Sequence, residues 1–490
     1  MGASAQGSPS AALDQLSNQP TPTSVNGSQT TSALISQFVR ANYSYADRYL
    51  VTGTIRRDGS SRFGANNQYG IFPSFSLGWR VSEEAFLKQS SFVSDLKLRA
   101  SYGLTGNQNI GDFLFSALAG GANTVWGNTI VTGVAPTRFE NPDIRWERNK
   151  QFDIGIDLSL LQGRINVTAD YYDKLTDGLL GVAPLSVISG VGNAYTTNIG
   201  KISNKGFEFA LNTIPINQGG FRWNVDLNVS TNKNEVVSLG NLPFITGVAI
   251  SRAGAYINRT QVGHPIGGFY VLKEEGQYQT WEQASTAPVY RIGNQPYFAP
   301  GDFIPVDQNG DKVIDEADRV WYGSPFPDFF GGLNNTFTYK GLSLNVFSNF
   351  QQGNLVWNQP RLTSETFEGN VWRSTYDNRW LPSNPGVQTA VPVPRNNNPL
   401  LPSNRFLDDG SFFRVRTMTL GYELPKPVLA KARMTRARVY LQGNNLLTFT
   451  NYPGWDPEVN SFGSNVTTNG VDAGAYPIAK SIILGLNLSF

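Results

Sequence analysis

Cysteine is absent from the 490 residues, and histidine occurs once, at His264. The first absence excludes a disulfide scaffold, a thiolate zinc site and a cysteine nucleophile. The second leaves any imidazole triad or paired-histidine metal centre without a partner. Charge is also scarce, at 16% of residues against about 25% in an ordinary soluble domain. Lys+Arg 39 against Asp+Glu 37 gives net +2. With no basic surplus to neutralise phosphates, nucleic acid is excluded as a partner. No apolar run reaches the roughly 18 residues of a membrane-crossing helix, and no basic-then-apolar leader opens the chain. Neither GxSxG nor a P-loop occurs. Asp170 and Asp173 could suggest paired-carboxylate glycosidase chemistry. Asp170, however, falls on the polar face of an alternating strand, so no enzyme is expected.

What is abundant is glycine, at 50 residues, and aromatic side chains, with 30 Phe, 20 Tyr and 10 Trp. The recurring pattern has period two. Val39, Ala41, Tyr43 and Tyr45 alternate with Arg40, Asn42 and Ser44. Leu96, Leu98, Ala100, Tyr102 and Leu104 alternate with Lys97, Arg99, Ser101, Gly103 and Thr105. The same holds for Phe152 to Leu160, for Ile165 to Tyr171, and for Ile482 to Phe490 at the C-terminus. Alternation over ten or more residues exceeds the usual globular strand of about 5–6. It suits a tilted membrane strand of about 9–11. The fold class expected is all-β: a transmembrane antiparallel β-barrel, with Leu98, Ala100, Tyr102, Ile154, Ile156 and Leu484 towards lipid and the polar faces towards the lumen.

The connections support a barrel. Ala46-Asp47, Gln162-Gly163 and Lys340-Gly341 are tight, whereas 107–147, 173–202, 237–328, 354–409 and 450–478 are long. Short inner turns alternating with long outer loops are expected of outer-membrane barrels. Ser82–Ser90 predicts a short helix in an inner turn, capped by Ser82 with Glu83 and Glu84 in its first turn. Residues 1–31, rich in Ser, Thr, Gln, Asn, Pro and Gly, predict a polar low-complexity arm or loop, and 32–490 the barrel. About 13 strands can be placed, or 15 if 237–328 hides two. The first and last both run towards the inner side, whereas closed bacterial barrels have an even count. The expectation is therefore the C-terminal part of a larger barrel, lacking its plug and first strands.

Eight stretches carry a family resemblance. They include DRYLVTGTIRRDGSSRFG (47–64), FPSFSLGWRVSEEAF (72–86), LKLRASYGLTGNQ (96–108) and NPDIRWERNKQFDIGID (141–157). Further on come NIGKISNKGFEFAL (198–211), VDQNGDKVIDEADR (306–319), FFRVRTMTLGYELP (412–425) and QGNNLLTFTNYPGWDPEV (442–459). In this order the chain resembles the SusC/RagA family of TonB-dependent outer-membrane transporters. The resemblance implies residence in the cell outer membrane, in contact with its lipid. It also implies uptake of glycans or peptides, a SusD-like surface lipoprotein as partner, and coupling to the TonB complex through the N-terminal part expected to be missing. The rival reading is a secreted all-β glycan-binding or adhesin protein.

Three sets of residues are site candidates. Asp307, Asn309, Asp311, Asp315 and Asp318, with the Val313 carbonyl, occupy calcium-loop positions 1, 3, 5, 9, 12 and 7, and oxygen ligands at that spacing suit Ca2+. Lys312 stands where glycine is usual, and an Asx-turn cluster is the alternative. Trp126, Trp321, Trp357, Trp372 and Trp380 lie in the long connections, where flat rings could stack on substrate or meet a partner; loop packing is the competing role. Phe490 closes an apolar alternating strand, like the C-terminal signal read during barrel assembly. His264, in GHPIGGFY beside a proline, is expected in a turn.

Overall fold

A computed structural model describes residues 2–6, 21–26, 30–184, 188, 190–191, 194–250, 256–290, 298–365, 367, 369–383, 401–431 and 433–490. Thirteen strands form one antiparallel wall in chain order. They are β1 (Leu34–Tyr45), β2 (Tyr49–Ser60), β3 (Tyr69–Arg80), β4 (Val93–Asn107), β5 (Glu147–Leu160), β6 (Ile165–Asp177) and β7 (Lys201–Gln218). β8 (Phe221–Ser230), β9 (Phe329–Tyr339), β10 (Leu342–Gln352), β11 (Phe412–Glu423), β12 (Arg436–Thr450) and β13 (Ser481–Ser489) complete it. A further segment, Lys233–Ser238, continues past β8 and pairs with the outer end of β7. Among the described residues after Ser238, the stretch up to 328 adds no strand to this sheet. β1 and β13 are the two edges, and among the described residues they do not pair with each other.

Period two becomes two chemically distinct faces. Leu98, Ala100 and Tyr102 of β4 stand opposite Ile156, Ile154 and Phe152 of β5. Ala169 and Tyr171 of β6 extend the row. Leu98, Tyr102, Phe152, Ile154 and Tyr171 are exposed, as are Ile482 and Leu484 on β13. An apolar band this wide is covered in a bilayer and would be a liability in water. Aromatic rows border it. Phe329, Phe350, Phe413 and Phe449 follow one another at 6.3–6.5 Å across β9 to β12. Phe221, Trp223 and Phe337 stack at the other end. Phe329 and Phe337 are eight residues apart on β9, about 27 Å along the strand. Tilt brings that to roughly 21 Å across the membrane, close to the roughly 25 Å apolar belt of outer-membrane barrels.

The tight inner turns fall where the sequence puts them. Ala46 and Asp47 take φ of 51° and 53°, and Lys340-Gly341 takes 45° and 86°. These left-handed pairs match the strand twist. Two local expectations are corrected. Val81–Glu83 is a single 3-10 turn with Arg80 at its N-cap position and no side-chain cap. Ser82 does not cap it; its hydroxyl donates to Asp95 at 2.7 Å. Glu84 accepts from Tyr49 (2.7 Å), Trp79 (3.2 Å) and Arg48 (3.2 Å). Tertiary bonds to the wall, not a helix dipole, fix this segment. Within 1–31, most of which lies outside the described residues, Gly2–Gln6 pairs with Thr21–Asn26. Backbone pairing needs no apolar side chains.

The buried clusters sit mainly in the long connections and at the outer ends of the wall strands they join. Ile257, Phe269 and Val271 from the β8–β9 connection pack with Trp357, Leu362 and Phe406 from β10–β11 and Val471 from β12–β13. A second cluster joins Leu272, Tyr278, Phe298 and Ile314 to Leu401. A third joins Phe63 and Phe72 to Ile144 and Trp146.

Candidate functional site

Two surfaces could meet a solute: the polar face of the wall, and the cap built by the long connections. On the wall, Arg99 of β4 bonds Asp157 of β5 at 2.8 Å and Asp170 of β6 at 2.9 Å. Arg99, Gly155 and Asp170 are in register on the three strands. A Cβ at Gly155 would lie 1.9 Å from an Asp170 carboxylate oxygen. Farther round, Asp226 accepts from Asn212 and, at 3.1 Å, from Asn334, while Asn345 donates to Asn334 and Thr336 at 2.7 and 2.9 Å. The face is thus lined by amides and paired charges, groups that hydrogen-bond hydroxyls or peptide bonds without holding one sign of charge.

The cap is locked by a buried ion network. Arg405 bonds Glu274 at 3.1 Å and also Glu365, both almost fully buried. Ser403 donates to Glu274 at 2.8 Å, and Arg361 reaches Asp408 at 2.7 Å and Glu365 at 3.4 Å. Burial pushes the Glu274 carboxyl above the ordinary carboxylate range, against the pull of Arg405. Asp408 is raised by burial too, opposed by Arg361. Separately, a column of flat groups runs through the β8–β9 connection. Arg259 lies between Phe244 and Tyr270, Tyr270 meets Trp321 at 5.4 Å, and Trp321 stacks on His264 at 3.8 Å and 8°. His264 lies in a turn, its amide bonded to the Gln261 carbonyl at 3.2 Å. Burial against Trp321 lowers the imidazole pKa below its usual value.

The tryptophans expected at one surface divide among different roles. Trp126 is 79% exposed at the tip of the hairpin Leu118–Trp126/Thr129–Arg138. Trp321 and Trp372 are half-buried; Trp372 precedes the short helix Arg373–Asp377 and its amide bonds Ser364. Trp357 and Trp380 are corrections. Both are buried, Trp357 in the first cap core and bonded to Gln359, Trp380 against Gly301 and bonded to Gln279. Neither offers a face to a ligand.

In 307–318 the side chains serve the backbone. Asp307 accepts from the amides of Gly310 and Lys312, Asn309 from Asp311, and Asp311 from Val313. Asp315 accepts from Ala317, and Asp318, fully buried, from Gln308 and Asp315. Lys312 takes φ of 64°, the left-handed position that favours glycine. Among the described residues no three His, Cys, Asp or Glu converge at metal-binding distance. Phe490 is 84% exposed beside the end of β13. Arg405, Glu274, Glu365 and Arg259 carry no local sequence signal, because each is defined by partners in other segments.

Comparison with known proteins follows the same lines. The family model described as TonB dependent receptor-like, beta-barrel matches residues 5–446. TonB-dependent receptor P3 of Formosa agariphila is 38% identical over 470 residues, covering 93% of this chain and 45% of the relative. TonB-dependent receptor SusC of Bacteroides thetaiotaomicron is 33% identical over 481 residues, covering 94% and 44%. The structure of the RagAB peptide transporter superposes with a TM-score of 0.81 at 26% identity, covering 98% of this chain and 50% of that one. The chain thus spans about half the length of the relatives it matches. With its lipid-facing belt, polar inner face and long outer connections, the chain belongs to the TonB-dependent receptor-like β-barrel family of the cell outer membrane.

Proposed function

We propose that this chain supplies wall and outer loops to a SusC-like importer that takes oligosaccharides or peptides across the outer membrane. A SusD-like surface lipoprotein would help capture the substrate, and the TonB complex would energise its passage. The observation that carries the reading is the combination of a polar wall face with a cap of three interlocked connections above it. The wall offers amides and ion-paired charges for hydrogen bonding, and the cap is rigid enough to hold binding groups in place. A secreted adhesin would have no use for the exposed apolar belt.

The experiment is uptake. Cells lacking the full-length gene that carries this sequence are supplied with labelled oligosaccharide and peptide mixtures, then complemented. Saturable uptake of one class that returns on complementation and stops with a protonophore is expected. Uptake that is the same with and without the gene for every class would overturn the proposal.

A further inference from the structure

Within the cap, the strands Ile245–Thr246, Asn258–Thr260, Gly268–Leu272 and Arg319–Gly323 form a small sheet. Phe269 and Val271 cover one face by entering the first cap core. Arg259 and Tyr270 occupy the other, with Phe244 beside them. The Arg259 guanidinium lies 4.1 Å from the Phe244 ring centre and 3.7 Å from that of Tyr270. Two ring contacts at these distances hold the guanidinium in place and shield it from water. The side chain is 15% exposed, and its one charged partner among the described residues is Glu316 at 3.8 Å. That is beyond hydrogen-bond length. Glu316 itself is 59% exposed and sits closer to Arg319, at 2.7 Å.

These groups line a cleft of about 520 Å³ with Phe244 and Tyr256, both partly open to solvent. Among the described residues its charged lining is Arg259, Arg319 and Glu316, and Glu316 lies nearer to Arg319 than to Arg259. An ordered, under-bonded guanidinium beside open aromatic faces is built to receive a planar anion through paired N–H bonds. We propose that this cleft is a carboxylate-binding subsite for imported substrate, with Arg259 gripping the carboxylate and Glu316 as its internal competitor. The apolar part of the carboxylate-bearing residue packs on Phe244 and Tyr256. An acidic sugar and an acidic peptide present the same chemistry. The assignment to substrate rests on the import reading; the binding does not.

The test is calorimetric titration of the full-length protein in detergent with two matched pairs of probes. One pair is trigalacturonate and its methyl ester; the other is an acidic tripeptide and its amide. In at least one pair the acid should bind ten- to a hundredfold more tightly than the neutral form, as expected for a charge-assisted bidentate contact, and that pair identifies the source. Arg259→Gln should abolish the preference. Glu316→Gln, at an exposed position outside the cap cores, should strengthen acid binding several-fold by removing the competitor. No preference in either pair, a preference that survives Arg259→Gln, or weaker binding with Glu316→Gln would each overturn the proposal. Uptake is measured apart: failed import with acid binding intact counts against the importer alone, and import without the preference counts against this subsite alone.

Discussion

Arg99 on β4 and Asp170 on β6 form a 2.9 Å ion pair across the strand that separates them, through the space left by Gly155 on β5. A guanidinium rarely reaches a carboxylate two strands away, because the intervening side chain stands between them. Glycine removes that obstacle. Gly155→Ala should push Asp170 off Arg99 and cost about 1.5–3 kcal/mol, the range for a hydrogen bond to a charged group. In an Asp170→Ala background the same change should cost almost nothing. Urea unfolding of the full-length barrel in a double-mutant cycle measures the difference; equal costs in both backgrounds would refute the link.

The two faces of the wall make a second prediction. Ile154 is exposed on the apolar side, whereas Thr168 lies on the polar side and bonds Asp157. Ile154→Arg should destabilise the barrel by roughly 2–4 kcal/mol, as arginine does near the bilayer midplane. Thr168→Arg, beside Asp157, should cost no more than about 1 kcal/mol. Refolding into lipid vesicles reads both, and comparable losses would invert the assignment of faces.

Removing the central cation of the cap should loosen the outer loops and spare the wall. Arg405→Leu leaves Glu274 and Glu365 buried without their guanidinium. Breaking such a buried group typically costs 3–5 kcal/mol. Hydrogen exchange should speed up around 274 and 365 and stay slow in β4 to β6. The effect should depend on pH with a definite sign. Burial already raises the Glu274 pKa above its usual 4.5. Without Arg405 it rises further in the closed cap, while in the opened cap it returns to its ordinary value. The closed cap then holds the proton more firmly, so the variant recovers protection as pH falls towards 4.5 and loses it as pH rises through the raised value. A variant whose exchange is flat with pH would show that Glu274 is not the responsible group.

The acidic loop invites a fourth manipulation. Its side-chain oxygens already hold seven backbone amides between Gln308 and Ala317. That network should keep the loop folded without an ion. Limited proteolysis near Asp311 should be the same with calcium and with a chelator. Protection that appears only with calcium would support the metal-binding reading of Asp307 to Asp318.

The wall was legible because each of its determinants is local. Leu98 and Arg99 declare their faces by adjacency, and Lys340-Gly341 declares its turn by residue type. The cap was not, because its determinants are distant in the chain. Trp126 and Trp357 look equivalent in sequence, each an isolated aromatic in a polar stretch. One ends at the tip of a hairpin, and the other is sealed beneath Phe406 and Val471. Nothing near Arg405 announces that Glu274, 131 residues away, will be its partner. Ser82 failed for a related reason: a plausible local cap lost its hydroxyl to Asp95 on the next strand.

The sharing of one cap core among the β8–β9, β10–β11 and β12–β13 connections bears on how such a protein can change. Loops that fold independently can be traded between relatives one at a time, and new specificity arises by simple grafting. Here a transplanted β10–β11 loop would arrive without the Ile257, Phe269 and Val471 surfaces that its Trp357 fits, and its Arg405 would find no Glu274. A foreign loop therefore brings a hole and a stranded charge. Inheritance and engineering alike should move the three loops together, so that hybrids joined within the wall, with all three drawn from one parent, succeed where single-loop hybrids misassemble.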